Sequence, residues 1–269
     1  MRSFLPYGLL CLVLNAEFHF AVAPSAAGQH SKNTTMDSGC DPSKLRIVID
    51  VGHTPEAAGA LSARGVYEYD FNLRLATDVE KALVAAGFTS TYLMRMQGAK
   101  RNLEQRAERA NKMGADLFVS IHHDSVQDEY LRIWKYKGRS YQYSDQFNGY
   151  SVFVSYANAR VEESRRFAFD LAAELKAHGL SFTTHHAEKI KGENRELIAP
   201  ELGVYRYDDL VVLKRTRSPA VLLEAGVIVN REDELRVSNP EFRERVSQSI
   251  VAASLQFCNQ RRSLSSPAQ

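Results

Sequence analysis

The sequence predicts an α/β domain, a mainly parallel twisted sheet of about five to six strands with helices on both faces. Two observations carry that expectation. From Lys44 onward, short apolar runs alternate with longer segments whose apolar residues recur at helical spacing, as strands joined by crossover helices do. The 269 residues are 44% hydrophobic and 25% charged, enough apolar material to bury such a core.

Taken in order, residues 45–51 (LRIVIDV) form a β-branched run that ends at Gly52 and reads as a buried strand. Phe71, Leu75, Val79 and Leu83 mark an amphipathic helix that Gly87 stops. Residues 89–94 read as a second strand, 103–113 as a helix closed by Gly114, and 117–121 (LFVSI) as a third strand. Residues 125–150 are a long aromatic and polar insertion without clear period. A strand over 151–156 precedes a helix over 161–177, with Phe167, Leu171 and Leu175 on one face. After Gly179 the pattern weakens, and the charged stretch 185–202 reads as loop with a short helix at most. Residues 219–225 (PAVLLEA) are a clean buried strand. Asn230 suits the cap of a short helix, and Asn239-Pro240 the start of the last one.

Outside this core, Arg2 precedes an apolar stretch from Phe4 to Val13, and small residues gather at Ala21, Ala23, Ser25, Ala26 and Ala27. That order predicts a cleaved signal over residues 1–27, hence an exported protein, periplasmic or extracellular. The apolar run is too short for a stable membrane span. Residues 28–43 read as a flexible lead-in, 44–260 as the folded domain and 261–269 as a polar tail. The net charge of +2, without a basic block, gives no argument for a nucleic-acid partner. Of three cysteines, Cys11 would leave with the signal. Cys40 precedes the first strand and Cys258 ends the last helix, so both fall at the edge where strands begin. Either they pair there as a disulfide or they remain two free thiols.

Four ionisable residues stand at the ends of predicted strands or just beyond them. His53 follows the first strand through Gly52, His122 ends the third, Glu224 interrupts the apolar run AVLLEAGVIV, and Glu68 opens a helix. The carboxyl edge of a parallel sheet is where ligands and catalytic groups collect. Two imidazoles and a carboxylate are a common ligand set for one catalytic Zn2+ ion. A second carboxylate beside it, costly to bury unless paired or used, can move protons. Each residue also has a plainer use: a satisfied polar histidine, or an acidic first-turn residue favoured by the helix dipole.

Three stretches resemble the zinc-dependent, autolysin-like N-acetylmuramoyl-L-alanine amidases, the AmiA/AmiB/AmiC type. They are IVIDVGHTPEAAGALSARGVYEYDFNLRLA, MRMQGAKRNLEQRAERANKMGADLFVSIHHDS and VVLKRTRSPAVLLEAGVIVNREDE. The resemblance implies that His53, Glu68 and His122 hold one zinc ion and that Glu224 is the catalytic base. It further implies peptidoglycan as substrate, with a protein activator as the regulatory expectation for 185–202, where some relatives carry a blocking segment. A zinc peptidase cutting within the stem peptide and a non-catalytic wall-binding module are the alternatives. His123 should face away from His122 in an extended strand and either act from behind the ligands or be structural, and Asp50 either orients His53 as an acceptor or merely caps the turn. Three departures concern the groove: Thr54-Pro55 after His53, Asp124 after the Ser-Ile-His step, and Ala225-Gly226-Val227 after Glu224. The insertion's Tyr130, Trp134, Tyr136, Tyr141, Tyr143, Phe147 and Tyr150 read either as a sugar or peptide platform or as a satellite core.

Overall fold

The computed structural model describes residues 40–98 and 102–265. The export signal, Cys11 and most of the lead-in lie outside the described residues. The apolar run at 45–51 becomes β1 (Ile47–Val51), buried at every position, as a strand covered on both faces must be. α1 (Glu68–Ala85) buries Phe71, Leu75, Val79 and Leu83. β2 (Tyr92–Met94), α2 (Leu103–Lys112) and β3 (Leu117–Asp124) follow.

The insertion has more order than its composition implied. β4 (Arg132–Tyr136) and β5 (Arg139–Tyr143) form an antiparallel hairpin. Lys137 and Gly138, both at positive φ, make its two-residue turn. The period is two: Trp134, Tyr136, Tyr141 and Tyr143 share the more buried face while Ile133 is 74% exposed.

β6 (Ser151–Val154) and α3 (Val161–Ala177) stand where predicted. The charged stretch beyond Gly179 instead yields a 3-10 turn at His185–Ala187, then β7 (Glu196–Ala199) and β8 (Val204–Arg206). After α4 (Val211–Arg215), β9 (Ala220–Val227) is buried along nearly its whole length. Asn230 caps α5 (Arg231–Ser238) by accepting the N–H groups of Glu232 and Asp233. α6 runs from Pro240 to Ser265, through residues expected to be tail. Its good helix formers carry the turn pattern past the last buried apolar positions, Phe257 and Cys258.

The sheet has seven strands in the order β2-β1-β3-β9-β6-β8-β7. The first four are parallel; β6 turns antiparallel to β9, β8 runs with β6, and β7 runs against β8. Alternate residues of one strand feed two cores. Ile47, Ile49 and Val51 pack with α1, α3 and α6, whereas Val48 and Phe118 pack with α2 and α4. Cys40 and Cys258 are joined by a disulfide with Cα atoms 5.6 Å apart. No described helix is long and apolar enough to cross a membrane.

Candidate active site

At the carboxyl end of β1, the Gly52 N–H donates to the Ile121 carbonyl at 2.9 Å, and the chain then leaves the sheet. A Cβ on Gly52 would fall on the His122 ring, so only glycine lets that imidazole lie across the strand end. His53 follows at φ 66°, a left-handed conformation that a non-glycine residue keeps only when its surroundings hold it. Arg106 of α2 does so. It is 2% exposed and donates to the carbonyls of Val51 (2.6 Å) and His53. Its Nη1 also meets Asp50 Oδ1 at 2.5 Å, while Ser120 Oγ donates to Asp50 Oδ2 at 2.7 Å. Asp50 therefore does not orient the His53 imidazole, as the sequence led us to expect. Its carboxylate is engaged by Arg106 and Ser120, and its influence on His53 passes through the backbone.

Glu68, opening α1, is 5% exposed. Its Oε2 lies 2.9 Å from His53 Nε2 and its Oε1 2.9 Å from His122 Nδ1. One potential ligand atom from each of the three falls within 4.8 Å of the others. A Cβ on Gly59 would strike the Glu68 carboxylate. Burial pushes the Glu68 carboxyl upward, but His122 and His53 outweigh it and hold the group well below the usual carboxylate range. An ionised carboxylate between two imidazoles is the donor set that a divalent cation of zinc's kind requires, so these residues fit such an ion.

Behind Glu68, one helical turn on, Asn72 Nδ2 donates to Glu68 Oε1 at 3.1 Å and to the Gly52 carbonyl at 3.3 Å. Its Oδ1 is 2.8 Å from His123 Nδ1. Burial above all holds His123 down to about 3, so its neutral ring is the donor in that contact. His123 thus braces Glu68 through Asn72. Asn72→Ala should weaken zinc binding by about 10- to 100-fold, read by competition with a chromophoric chelator; an unchanged affinity would remove Asn72 from this role.

Glu224 is the register partner of His122 across β3 and β9. Its Oε2 is buried without a hydrogen-bond partner among the described residues. Burial first, then the charges of Asp124 and Glu68, raise its pKa well above 4.5. The native state therefore keeps this proton at pH values where an unfolded glutamate ionises. Stability linked to that proton is complete below about pH 4 and declines as pH climbs. Chelator-treated Glu224→Gln should match wild type at about pH 4 and melt higher at about pH 7, by roughly 2–4 °C per kcal/mol recovered. Equal melting at both pH values would show that the carboxyl is not held protonated.

Glu224 also lines a cleft of about 220 Å³ with Gln127, Phe153, His186, Glu193, Arg195 and Tyr207. A second cluster, which the sequence reading assigned to loop, stands here. Asp124 Oδ2 is 2.8 Å from His186 Nε2 and 3.2 Å from His185 Nε2. His186 Nδ1 meets Glu193 Oε2 at 2.9 Å, and His185 Nδ1 meets Thr183 Oγ1 at 2.9 Å. Burial opposes a charge on His186, yet Asp124 and Glu193 push its pKa up to about 9. The adjacent histidines and the acidic Asp124 were the sequence signals for this cluster.

The aromatic insertion is engaged elsewhere. Trp134 stacks on Tyr136 with ring centroids 5.5 Å apart, its indole N–H donates to the Ala63 carbonyl at 2.7 Å, and Arg64 and Arg231 lie over its ring. Tyr150 is a core residue, 1% exposed. A separate small core of Val126, Val227 and Val229 takes in Tyr130 and Phe147 of the insertion, whereas Trp134, Tyr136, Tyr141 and Tyr143 stay half-exposed.

Together, a largely parallel α/β sheet carries at its carboxyl edge two imidazoles and a carboxylate that could hold a metal ion, with the Glu224 carboxyl on the neighbouring strand, an arrangement suited to a hydrolase. The family model described as N-acetylmuramoyl-L-alanine amidase matches residues 47–255, and the chain belongs to that family of amide hydrolases. AmiA of Salmonella typhimurium is 28% identical over 271 residues, covering 93% of this chain and 89% of that protein. The catalytic domain of CwlV from Bacillus (Paenibacillus) polymyxa var. colistinus is 26% identical with a TM-score of 0.54, over 78% of this chain and 95% of that one. Ami1 from Mycobacterium smegmatis shares the fold, with a TM-score of 0.63 at 21% identity, over 81% of this chain and 98% of that one.

Proposed function

We propose that this enzyme hydrolyses the amide bond joining the muramoyl lactyl group to L-alanine in peptidoglycan, outside the cytoplasm, with zinc held by His53, Glu68 and His122. The observation that carries this reading is the convergence of those three side chains within 4.8 Å beside the unpartnered carboxyl of Glu224, in a chain of this family. Zinc would supply a Lewis acid and a positive charge that ease deprotonation of water, balance charge on a carbonyl oxygen and offset the negative field around Glu224. Glu224 then does the proton work. It accepts a proton from the attacking water and returns it to the alanine nitrogen as the C–N bond breaks. Arg106 keeps the His53 backbone in place, and His123 with Asn72 keeps Glu68 turned toward both imidazoles.

The test is digestion of purified peptidoglycan with and without a strong chelator, followed by mass spectrometry of the released ends. The expected products are peptides with a free L-alanine amino terminus and glycan retaining its lactyl carboxyl. Chelation should abolish their release and added zinc restore it. New termini within the stem peptide, or release indifferent to chelator, would overturn the proposal.

A further inference from the structure

We propose that Asp124, His185 and His186 form a second cation site, separate from the Glu68 cluster, that takes a divalent first-row transition ion such as zinc. The argument is geometric. Asp124 Oδ2, His185 Nε2 and His186 Nε2 are all buried, and none has a hydrogen-bond partner among the described residues. They nonetheless lie 2.8 and 3.2 Å apart across the carboxylate. At such separations an ordinary ion pair would aim its N–H groups at the oxygen. Here the contacts lack hydrogen-bond direction, and the three ligand atoms lie within 4.8 Å of one another, close enough to share one ion. His185 is 1% exposed, and a buried imidazole nitrogen left unpaired is costly unless something occupies it.

The far sides of both rings support the same reading. His186 Nδ1 is engaged by Glu193, which is fixed in turn by Gln127 Nε2 at 2.7 Å, and His185 Nδ1 by Thr183 Oγ1. A carboxylate or hydroxyl behind a ring, with the other nitrogen free and pointed inward, is how proteins orient metal-binding histidines. Two imidazoles and a carboxylate select zinc-like ions over magnesium or calcium, which prefer oxygen donors.

The ion would pin the 185–202 segment to the sheet. Asp124 is on β3 two residues beyond His122, whereas both histidines belong to the 3-10 turn that begins that segment. His186 and Glu193 line the same cleft as Glu224. The second ion would therefore stand on the cleft wall and fix its shape, leaving proton transfer to Glu224.

The full chain is equilibrated with zinc, dialysed against metal-free buffer and assayed for zinc per chain by mass spectrometry, alongside Asp124→Asn, His186→Gln and Glu68→Gln. Circular dichroism confirms that each variant folds; Asp124→Asn is nearly isosteric and serves if His186→Gln does not. Wild type should hold about two ions, and each variant about one. Cobalt substitution should give visible absorption that Asp124→Asn reduces by about half. Wild type holding about one ion, lost in Glu68→Gln and kept in Asp124→Asn, would overturn this site while leaving the proposed function standing. Asp124→Asn with undiminished wild-type content would overturn it equally.

Discussion

Glu224→Gln should cut turnover on peptidoglycan by about two to four orders of magnitude and leave the zinc content unchanged. Glutamine keeps the shape of the side chain and its place opposite His122 but can neither take nor return a proton. Among the described residues, Glu224 stands in none of the groups whose atoms lie close enough to hold one ion, so its removal should spare metal binding. Its buried Oε2 has no hydrogen-bond partner among the described residues, so the substitution breaks no protein contact at that oxygen. Two measurements decide the matter, kcat on defined muropeptides and metal content of the same preparation. A variant retaining wild-type turnover would show that another group moves the proton; a variant losing zinc would make Glu224 a ligand instead.

Arg106→Ala should destabilise the fold by about 3–5 kcal/mol and lower the melting temperature by roughly 10 °C. The guanidinium is 2% exposed and binds Asp50 and two backbone carbonyls of the turn that carries His53. Its removal leaves the buried Asp50 carboxyl without its charged partner and releases the left-handed residue that positions the imidazole. Lysine cannot reproduce the fork of donors and should rescue little. The double substitution Arg106→Met with Asp50→Leu should cost less than Arg106→Ala, because no charge is left unpaired. Chemical denaturation of the three variants settles this. A loss under about 1 kcal/mol in Arg106→Ala would mean that the turn holds itself.

Much of the arrangement was legible in the residue pattern. The runs LRIVIDV, LFVSI and PAVLLEA became β1, β3 and β9, because strands buried on both faces must be continuously apolar. The helix over 161–177 fell at the predicted bounds. The edge strand β7 and its inner neighbour β8 were not legible. They run for only four and three residues and include Glu196 and Arg206, paired with each other at 3.3 Å, and so short a run shows no period to read. The hairpin went unread for a different cause. The insertion showed no clear period in the sequence, and a two-stranded unit gains stability only from what it packs on, here Arg64 and Arg231 against Trp134, Tyr136 and Tyr143.

The sequence by itself determined the sheet-and-helix architecture, the family resemblance and the four residues of the candidate centre, since buried strands and their terminal turns are written in local patterns. Tertiary structure alone decided that Arg106 grips the His53 turn, that Asp50 serves Arg106, and that His185 and His186 meet Asp124. Those partners are far apart along the chain, 56 residues in the case of Asp50 and Arg106. Only strand register and helix packing bring them within a few ångströms, and neither is encoded by any local period.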